Sequence, residues 1–452
     1  MHYIRNSLMA VGLTMASGLA FAKVSPEEAA KLGTTLTPMG AEKAANKDGS
    51  IPAWEGGMHF PKPTDGSARK LATFGELGTD KPLYTITAAN LDKYKDKLTL
   101  GHQTMLRKFP DYKMNVYKSR RTASFPDFII AATKANALTA EAGHGGESLD
   151  GAITGTPFPI PKSGIEVMWN HKTRYRGLSV TRYNTQLAVQ TNGDFTPFKL
   201  REDVRFSFSY PDKKPADLQN VLFYFLQLTL APPRSAGSAL LVHETMDQVA
   251  EARRAWLYNP GQRRVRRAPN VAYDNPGTGA DGLRTNDQLD VFNGATDRYT
   301  WKIVGKKEMI VPYNNIILAQ DSLKYSDIAK KGHMNQDYAR YELHRVWVIE
   351  SQLKEGTSHI YSRRTFYIDE DTWTAVHADI YDRRGELWRI QENFSLNIPW
   401  RQSTGPAGGT CYDLQSGRYL LLEFSNEEPL YEDKDWDLSH FDPGNIAKVS
   451  SR

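Results

Sequence analysis

The sequence predicts an α+β protein: one large, curved antiparallel β-sheet of half-barrel form, plugged by helices and preceded by an extended N-terminal arm. Three observations lead there. Helix signals crowd between residues 85 and 177, apolar alternation with a period of two takes over from Leu178, and Glu342 to Phe394 divides into successive strand-length segments. Strands this long in a sheet this large curl under their own twist, which favours a half-open barrel over a flat slab.

Residues 1–22 read as a removable secretory signal. Arg5 supplies the positive start, Ser7 to Leu19 carry no charge, and Ala20-Phe21-Ala22 is a small-x-small cleavage sequence that places the mature N-terminus at Lys23. The apolar stretch falls short of the ~20 residues that span a bilayer. No cysteine follows the cut to take a lipid, so the expected product is a soluble periplasmic chain. Residues 23–84 are rich in Gly, Pro, Lys and Asp without periodic apolar pattern and read as an arm draped over a scaffold.

In the helical segment 85–177, Leu91, Tyr94 and Leu98 recur at helical spacing within Thr87–Lys108. Pro126 to Ala142 reads as a second helix closed by Gly143. Ser163-Gly164-Ile165-Glu166 fits a capping box that opens a third, with Gly177 beyond its end. The half-barrel is assigned to 178–400. Val204, Phe206, Phe208 and Tyr210 alternate cleanly, and from Glu342 a four-strand meander is broken at Lys354–Thr357, Asp369–Thr372 and Arg383–Gly385. Alternation puts Ile360, Phe366, Ile368, Val376, Ala378, Ile380, Trp388, Ile390 and Phe394 on one face. His359, Tyr361, Arg363, Tyr367, His377, Asp379 and Arg389 fall on the other. Aromatics on both faces predict an enclosed apolar cavity of a few hundred Å³, as ligand sites usually have. Residues 401–452 read as a C-terminal extension of loops with at most one edge strand.

Composition narrows the function. A single cysteine, Cys411, rules out an intramolecular disulfide, and 57 basic against 52 acidic residues does not suggest a general nucleic-acid binder. Gly277 to Gly282 matches G-x-G-x-x-G but follows Asn275-Pro276 with no strand before it, so it reads as a loop. His243-Glu244 begins like a zincin helix, yet Asp247 stands where the second histidine belongs. No G-x-S-x-G elbow occurs, and Cys411 has no local partner motif. The expectation is a non-enzyme without metal or cofactor.

One segment stands out, Arg253 to Pro269. Pro260-Gly261 occupy the centre of an Asn259–Gln262 turn, expected as type II, with Arg263, Arg264, Arg266 and Arg267 following and Trp256 and Tyr258 before it. Alternation would put Arg263 and Arg267 on the face of Val265, and Arg264 and Arg266 on the other. The hairpin is the candidate contact for anionic lipid headgroups or an acidic partner, against a plain alternative of a solvated edge whose charges discourage aggregation.

This segment, with Leu36–Glu42, Ile51–Gly57, Pro157–Lys162 and Met168–His171, resembles a family of uncharacterised bacterial proteins described as outer-membrane lipoprotein-sorting-like. The resemblance covers nearly all of the mature chain. It implies a LolA/LolB-like fold, a curved sheet around an apolar cavity, and a carrier or adaptor for a lipid-like or hydrophobic molecule. It also implies work beside an inner-membrane permease of the resistance-nodulation-division type and an outer-membrane barrel protein. The alternatives are a purely structural envelope adaptor and, third, an envelope hydrolase.

Overall fold

The computed structural model describes residues 24–268, 271 and 273–450, so the cleavage residues Ala22 and Lys23 lie outside it. Sixteen strands form one sheet. They are β1 (Tyr84–Ile86), β2 (Met114–Tyr117), β3 (Ser179–Val189), β4 (Pro197–Arg205), β5 (Val221–Ala231), β6 (Ala239–Thr245), β7 (Arg254–Asn259) and β8 (Arg264–Arg267). They continue as β9 (Tyr299–Pro312), β10 (Tyr341–Leu353), β11 (Arg363–Asp369), β12 (Ala375–Tyr381), β13 (Leu387–Ile398), β14 (Ser403–Asp413), β15 (Tyr419–Phe424) and β16 (Glu432–Asp433). The order is β1-β2-β10-β11-β12-β13-β14-β15-β3-β4-β5-β6-β7-β8, with β9 beside β10 and β16 beside β3. Every pairing is antiparallel except β2 against β10. The sheet is curved and does not close, as the sequence predicts: β9 and β8 remain as edges.

The meander from β10 to β13 matches its prediction, because long alternating runs and glycine- or acid-rich turns agree there. Residues after Trp400 do not. They supply β14 and β15, which lie mid-sheet and join the meander to β3. These strands are buried on both faces, so they lack the half-polar alternation that marks a strand in sequence. The alternation through Phe206 and Tyr210 also misleads: β4 ends at Arg205 and Ser207–Ser209 form a 3₁₀ turn.

Three helices position the sheet's contents: α1 (Leu100–Lys108), α2 (Asp127–Thr139) and α3 (Gly164–Thr173). The expected helix around Leu91 and Leu98 is two 3₁₀ turns, with the α-helix restarting where the Thr99 hydroxyl accepts from His102 N–H at 3.0 Å. Every residue of α3 is buried. Ser163 caps it as predicted, accepting from Glu166 N–H, but the Glu166 carboxylate accepts from Lys162 N–H, so the reciprocal half of the box is displaced by one residue. A Cβ on Gly164 would meet the Trp301 backbone at 2.8 Å; glycine lets β9 pass this close.

The face carrying α3 is the inner one. Across it runs a row in register, Val180, Val204, Phe225, Val242 and Ala255, one residue from each of β3 to β7. It joins Trp169, Phe366, Ile368, Ala378 and Ile380 in one core. Each such large side chain contributes about 1.5–3 kcal/mol by leaving water. The outer face is covered by α1, the 3₁₀ turns before it and the segment between β9 and β10, around Leu91, Met105, Leu106, Ile328 and Tyr341.

The predicted faces of the meander need correction at β12 and β13. Asp379 is opposite Ile390 and Ile380 opposite Arg389, so Ile390 and Phe394 face outward and Arg389 inward. Irregularities at Ile380/Tyr381 and Tyr367/Ile368 reset the parity that simple alternation carries through a turn, and the second sends Val376 outward with Tyr367. The polar face is not solvated: His377 and Asp379 are buried beneath α1.

Candidate functional site: an apolar cavity ringed by arginines

A cavity of about 170 Å³ opens on the inner face. Val180, Val204, Phe206, Phe223, Phe225 and Leu289 form its apolar wall, and the arm closes one side with Ala68, Arg69 and Phe74. A smaller void of about 40 Å³ lies behind Phe223, Phe225 and Leu289, which it shares. The main volume falls below the predicted few hundred Å³, because Trp400, Tyr431 and the arm fill space that the strands alone would leave open. An apolar cavity of ~150 Å³ holds one benzene ring. The space therefore suits a ring or a short stretch of acyl chain.

The next row of the inner face is charged. Arg182, opposite Glu202 in register, bonds it at 2.6 Å and reaches Glu423 at 3.0 Å. Just after α3, Arg174 and Arg176 hold Asp290 at 2.5 and 2.9 Å, and the Arg176 guanidinium lies 4.6 Å over the Phe206 ring. Burial, with Arg174 adding like charge, brings Arg176 down to about 10. Burial also opposes ionisation of Asp290, but its two arginines outweigh it and hold the carboxyl well below the usual range. Burial pushes Glu423 up despite Arg182.

Two further arginines form no ion pair among the described residues. Arg69 donates to the carbonyls of Ser425, Glu428 and Pro429, and buried Arg284, on the wall of the smaller void, donates to the carbonyl of Thr285 and leaves its Nε without a partner. The surroundings are thus richer in cations than in anions. Both acids on the wall sit in left-handed backbone, Asp290 at φ +54 and Glu423 at φ +60, a conformation costing of order 1–3 kcal/mol at a non-glycine residue. His171 holds the first in place: Nε2 lies 2.9 Å from the Asp290 carbonyl while Nδ1 accepts from Ala375 N–H at 3.1 Å. Burial, then the charge of Arg174, brings His171 down to about 4.

Among the described residues lining the cavity there is no histidine or cysteine. Cys411 is a packed thiol donating to the Leu283 carbonyl, pushed up to about 11 by burial. His243 and Glu244 lie on strand β6, not a helix, and Gly277–Gly282 is a loop.

The arginine hairpin forms as β7 and β8, on the sheet edge and away from the cavity. Its turn is not type II. Gly261 keeps a negative φ and Arg263 takes the left-handed position at φ +49, which removes Arg263 from the strand alternation. Arg267 and Val265 share a face with Trp256 and Tyr258, which pack on Phe441 and Ile446 of the C-terminal segment. Arg264 and Arg266 flank the exposed Leu257 on the other face. Away from both places, the fold gathers His102, His377 and Glu392 on the outer face, and His344, Asp369 and Asp371 elsewhere.

The family described as a protein of unknown function, DUF1329, matches residues 85–447. This chain belongs to the DUF1329 family. An uncharacterized protein of Pseudomonas aeruginosa, PA3922, is 51% identical over 438 residues, 96% of this chain and 95% of the relative. Among solved structures, a domain described as an outer-membrane lipoprotein-sorting protein from Vibrio parahaemolyticus is similar at TM-score 0.43 and 15% identity, covering 63% of this chain and 98% of that one. A DUF1329 family protein from Desulfovibrio piger gives 0.39 and 14%, over 60% and 92% of the chains. A LolA superfamily protein from Nitrosomonas europaea gives 0.38 and 12%, over 62% and 98%. In this DUF1329 protein the sequence pointed to exposed arginines and missed the buried ones. Arg174-Tyr175-Arg176, between a capped helix and the first long strand, was the available signal.

Proposed function

We propose that the protein is a periplasmic carrier for a hydrophobic molecule with an anionic or strongly polar end. The observation that carries this reading is the cavity, whose lining joins an apolar wall to Arg176, Arg182 and Arg69. An apolar wall with a few convergent polar groups is what small-molecule sites share. No helix among the described residues is long and apolar enough to cross a membrane, and the signal-like residues 1–22 support export. The carrier then exchanges its cargo with an inner-membrane permease and an outer-membrane barrel protein, as the resemblance implies.

The test is extraction of protein purified from its native host, with mass analysis of bound small molecules, followed by displacement of a fluorescent fatty acid. Val204→Trp, which fills the cavity, is expected to weaken probe binding at least tenfold. A parent protein that yields no bound molecule and binds no probe leaves the structural adaptor as the better reading, which the small volume already favours over a carrier of whole lipoproteins.

A further inference from the structure

The second notable set of buried charges lies on the outer face, outside the cavity lining. On adjacent strands β12 and β13, His377 stands opposite Glu392, which stands opposite Thr410 on β14. The first turn of α1 presses on this row. His102 Nε2 lies 2.8 Å from Glu392, the His102 and His377 rings are 4.4 Å apart, and one donor atom from each of His102, His377 and Glu392 lies within 4.8 Å of the others. All three are buried, and none lines either of the two cavities described above.

Charge and hydrogen bonding are both incomplete here. Most buried carboxylates among the described residues pair with an arginine or lysine, as Asp287 does with Arg364, Asp290 with Arg174 and Arg176, Glu244 with Lys172 and Arg253, and Glu342 with Arg340; Asp369 and Glu166 are met instead by hydroxyl or backbone donors close in sequence. Glu392 and its neighbour Asp379 also have no arginine or lysine. Glu392 is met by His102, Tyr341 and Thr410, and Asp379 by His377, Tyr367 and Gly101 N–H at the start of α1. Each imidazole meanwhile leaves its Nδ1 with no partner, although both rings are fully buried. Two anions without a cation and two ring nitrogens without a proton donor are a costly combination in a closed site.

We propose that His102, His377 and Glu392 bind one divalent first-row cation, zinc by preference, with Asp379 fixing the ring of His377 from behind. Imidazole and carboxylate donors suit zinc. A carboxylate accepting from the ring nitrogen that does not bind the metal is the usual support for a histidine ligand. The 2+ charge balances Glu392 and Asp379; His377, whose Nε2 meets Asp379, offers its unpartnered Nδ1, and His102 offers the Nε2 that faces Glu392. The Thr99 hydroxyl 3.0 Å from His377 and the Gly101 N–H on Asp379 tie α1 to the same point, so the cation pins α1 to the sheet. Because the three ligands are buried and line neither cavity, the role is structural, and it does not rest on the carrier reading.

The experiment uses untagged mature protein, stripped with chelator and refilled with zinc or cobalt(II). One metal per chain, a visible cobalt d–d spectrum of low symmetry, and a melting temperature raised by several degrees on refilling are expected. His102→Gln and Glu392→Gln should each lose the metal and the shift, while His344→Gln, in the other His/Asp group, should keep both. If those variants fail to fold, the stripped and refilled parent still decides the matter through stoichiometry, spectrum and melting temperature. A parent that takes up no zinc or cobalt at micromolar concentration, or whose metal survives His102→Gln and leaves with His344→Gln, overturns the proposal.

Discussion

The two faces of the sheet carry opposite electrostatic imbalances. On the inner face Arg174, Arg176, Arg182, Arg284 and Arg69 outnumber Asp290, Glu202 and Glu423, and they border empty space. On the outer face Asp379 and Glu392 meet only histidines, hydroxyls and a backbone N–H, in a closed site. A cation excess beside a cavity suits an anionic group that enters and leaves. An anion excess without a cavity suits a small cation that stays. The proposed exchangeable site and the proposed fixed one thus lie on opposite faces of the same sheet.

The inner side of this comparison breaks most sharply at Asp290. Asp290→Ala leaves Arg174 and Arg176 facing one another without their shared anion, and removing one partner of a buried pair costs about 3–5 kcal/mol. Urea denaturation at neutral pH measures it. A loss below about 1 kcal/mol would mean that the arginines find water or another acid, and that the excess of cations is apparent only.

A pH series tests the same wall with a slightly smaller effect. His171 is neutral in the fold and brought down to about 4, below the ordinary histidine value of about 6.5. Its folded value is depressed, so the unfolded chain binds the proton first. Stability is full above pH 6.5 and falls as pH drops towards 4, by roughly 3 kcal/mol in all. Denaturation midpoints at pH 7, 5.5 and 4.5 should fall in that order, and His171→Gln should flatten the series between the first two.

The ligand side is sharpened by Arg176→Leu, which keeps the packing on Phe206 and deletes the charge. Affinity for a fatty acid should drop by about 1.5–3 kcal/mol, the worth of a hydrogen bond to a charged group, while that for the matching alcohol changes little. Equal loss for both would show that Arg176 only shapes the cavity.

Why local elements were legible in the sequence and neither imbalance was follows from chain distance. The meander, the Ser163 cap and the arginine hairpin are local patterns, carried by alternation, a capping side chain and a Pro-Gly turn, and they appear where expected. His102 and Glu392 are 290 residues apart, and their approach depends on α1 crossing strands β12 and β13 in a register that the bulges set. β14 and β15 were hidden for another reason. Gly405, Pro406, Gly408 and Gly409 in β14 are poor strand formers, tolerated because neighbours on both sides supply the ladder.

The smallest effect on stability, and the plainest contrast with the cavity, belongs to the edge hairpin. Arg264 and Arg266 are exposed and, among the described residues, meet no acid, like Arg69 and Arg284 inside; unlike those they remain in water. Their face includes Leu257, which is 48% exposed on the strand opposite. An apolar residue between two guanidiniums on an open edge fits contact with an anionic surface, where arginine can grip phosphate or carboxylate through paired hydrogen bonds. It fits equally an edge kept from pairing with other chains by its charge. Arg264→Glu with Arg266→Glu separates the two. Stability should change by less than about 0.5 kcal/mol in either case, as is usual for exposed positions. If the edge is a contact, sedimentation with phosphatidylglycerol vesicles should fall severalfold at low salt, and the parent's own binding should fade as salt shortens the screening length below ~10 Å. If the edge only prevents aggregation, vesicle binding stays at the parent's level, and Leu257 with its two arginines leaves the list of functional positions.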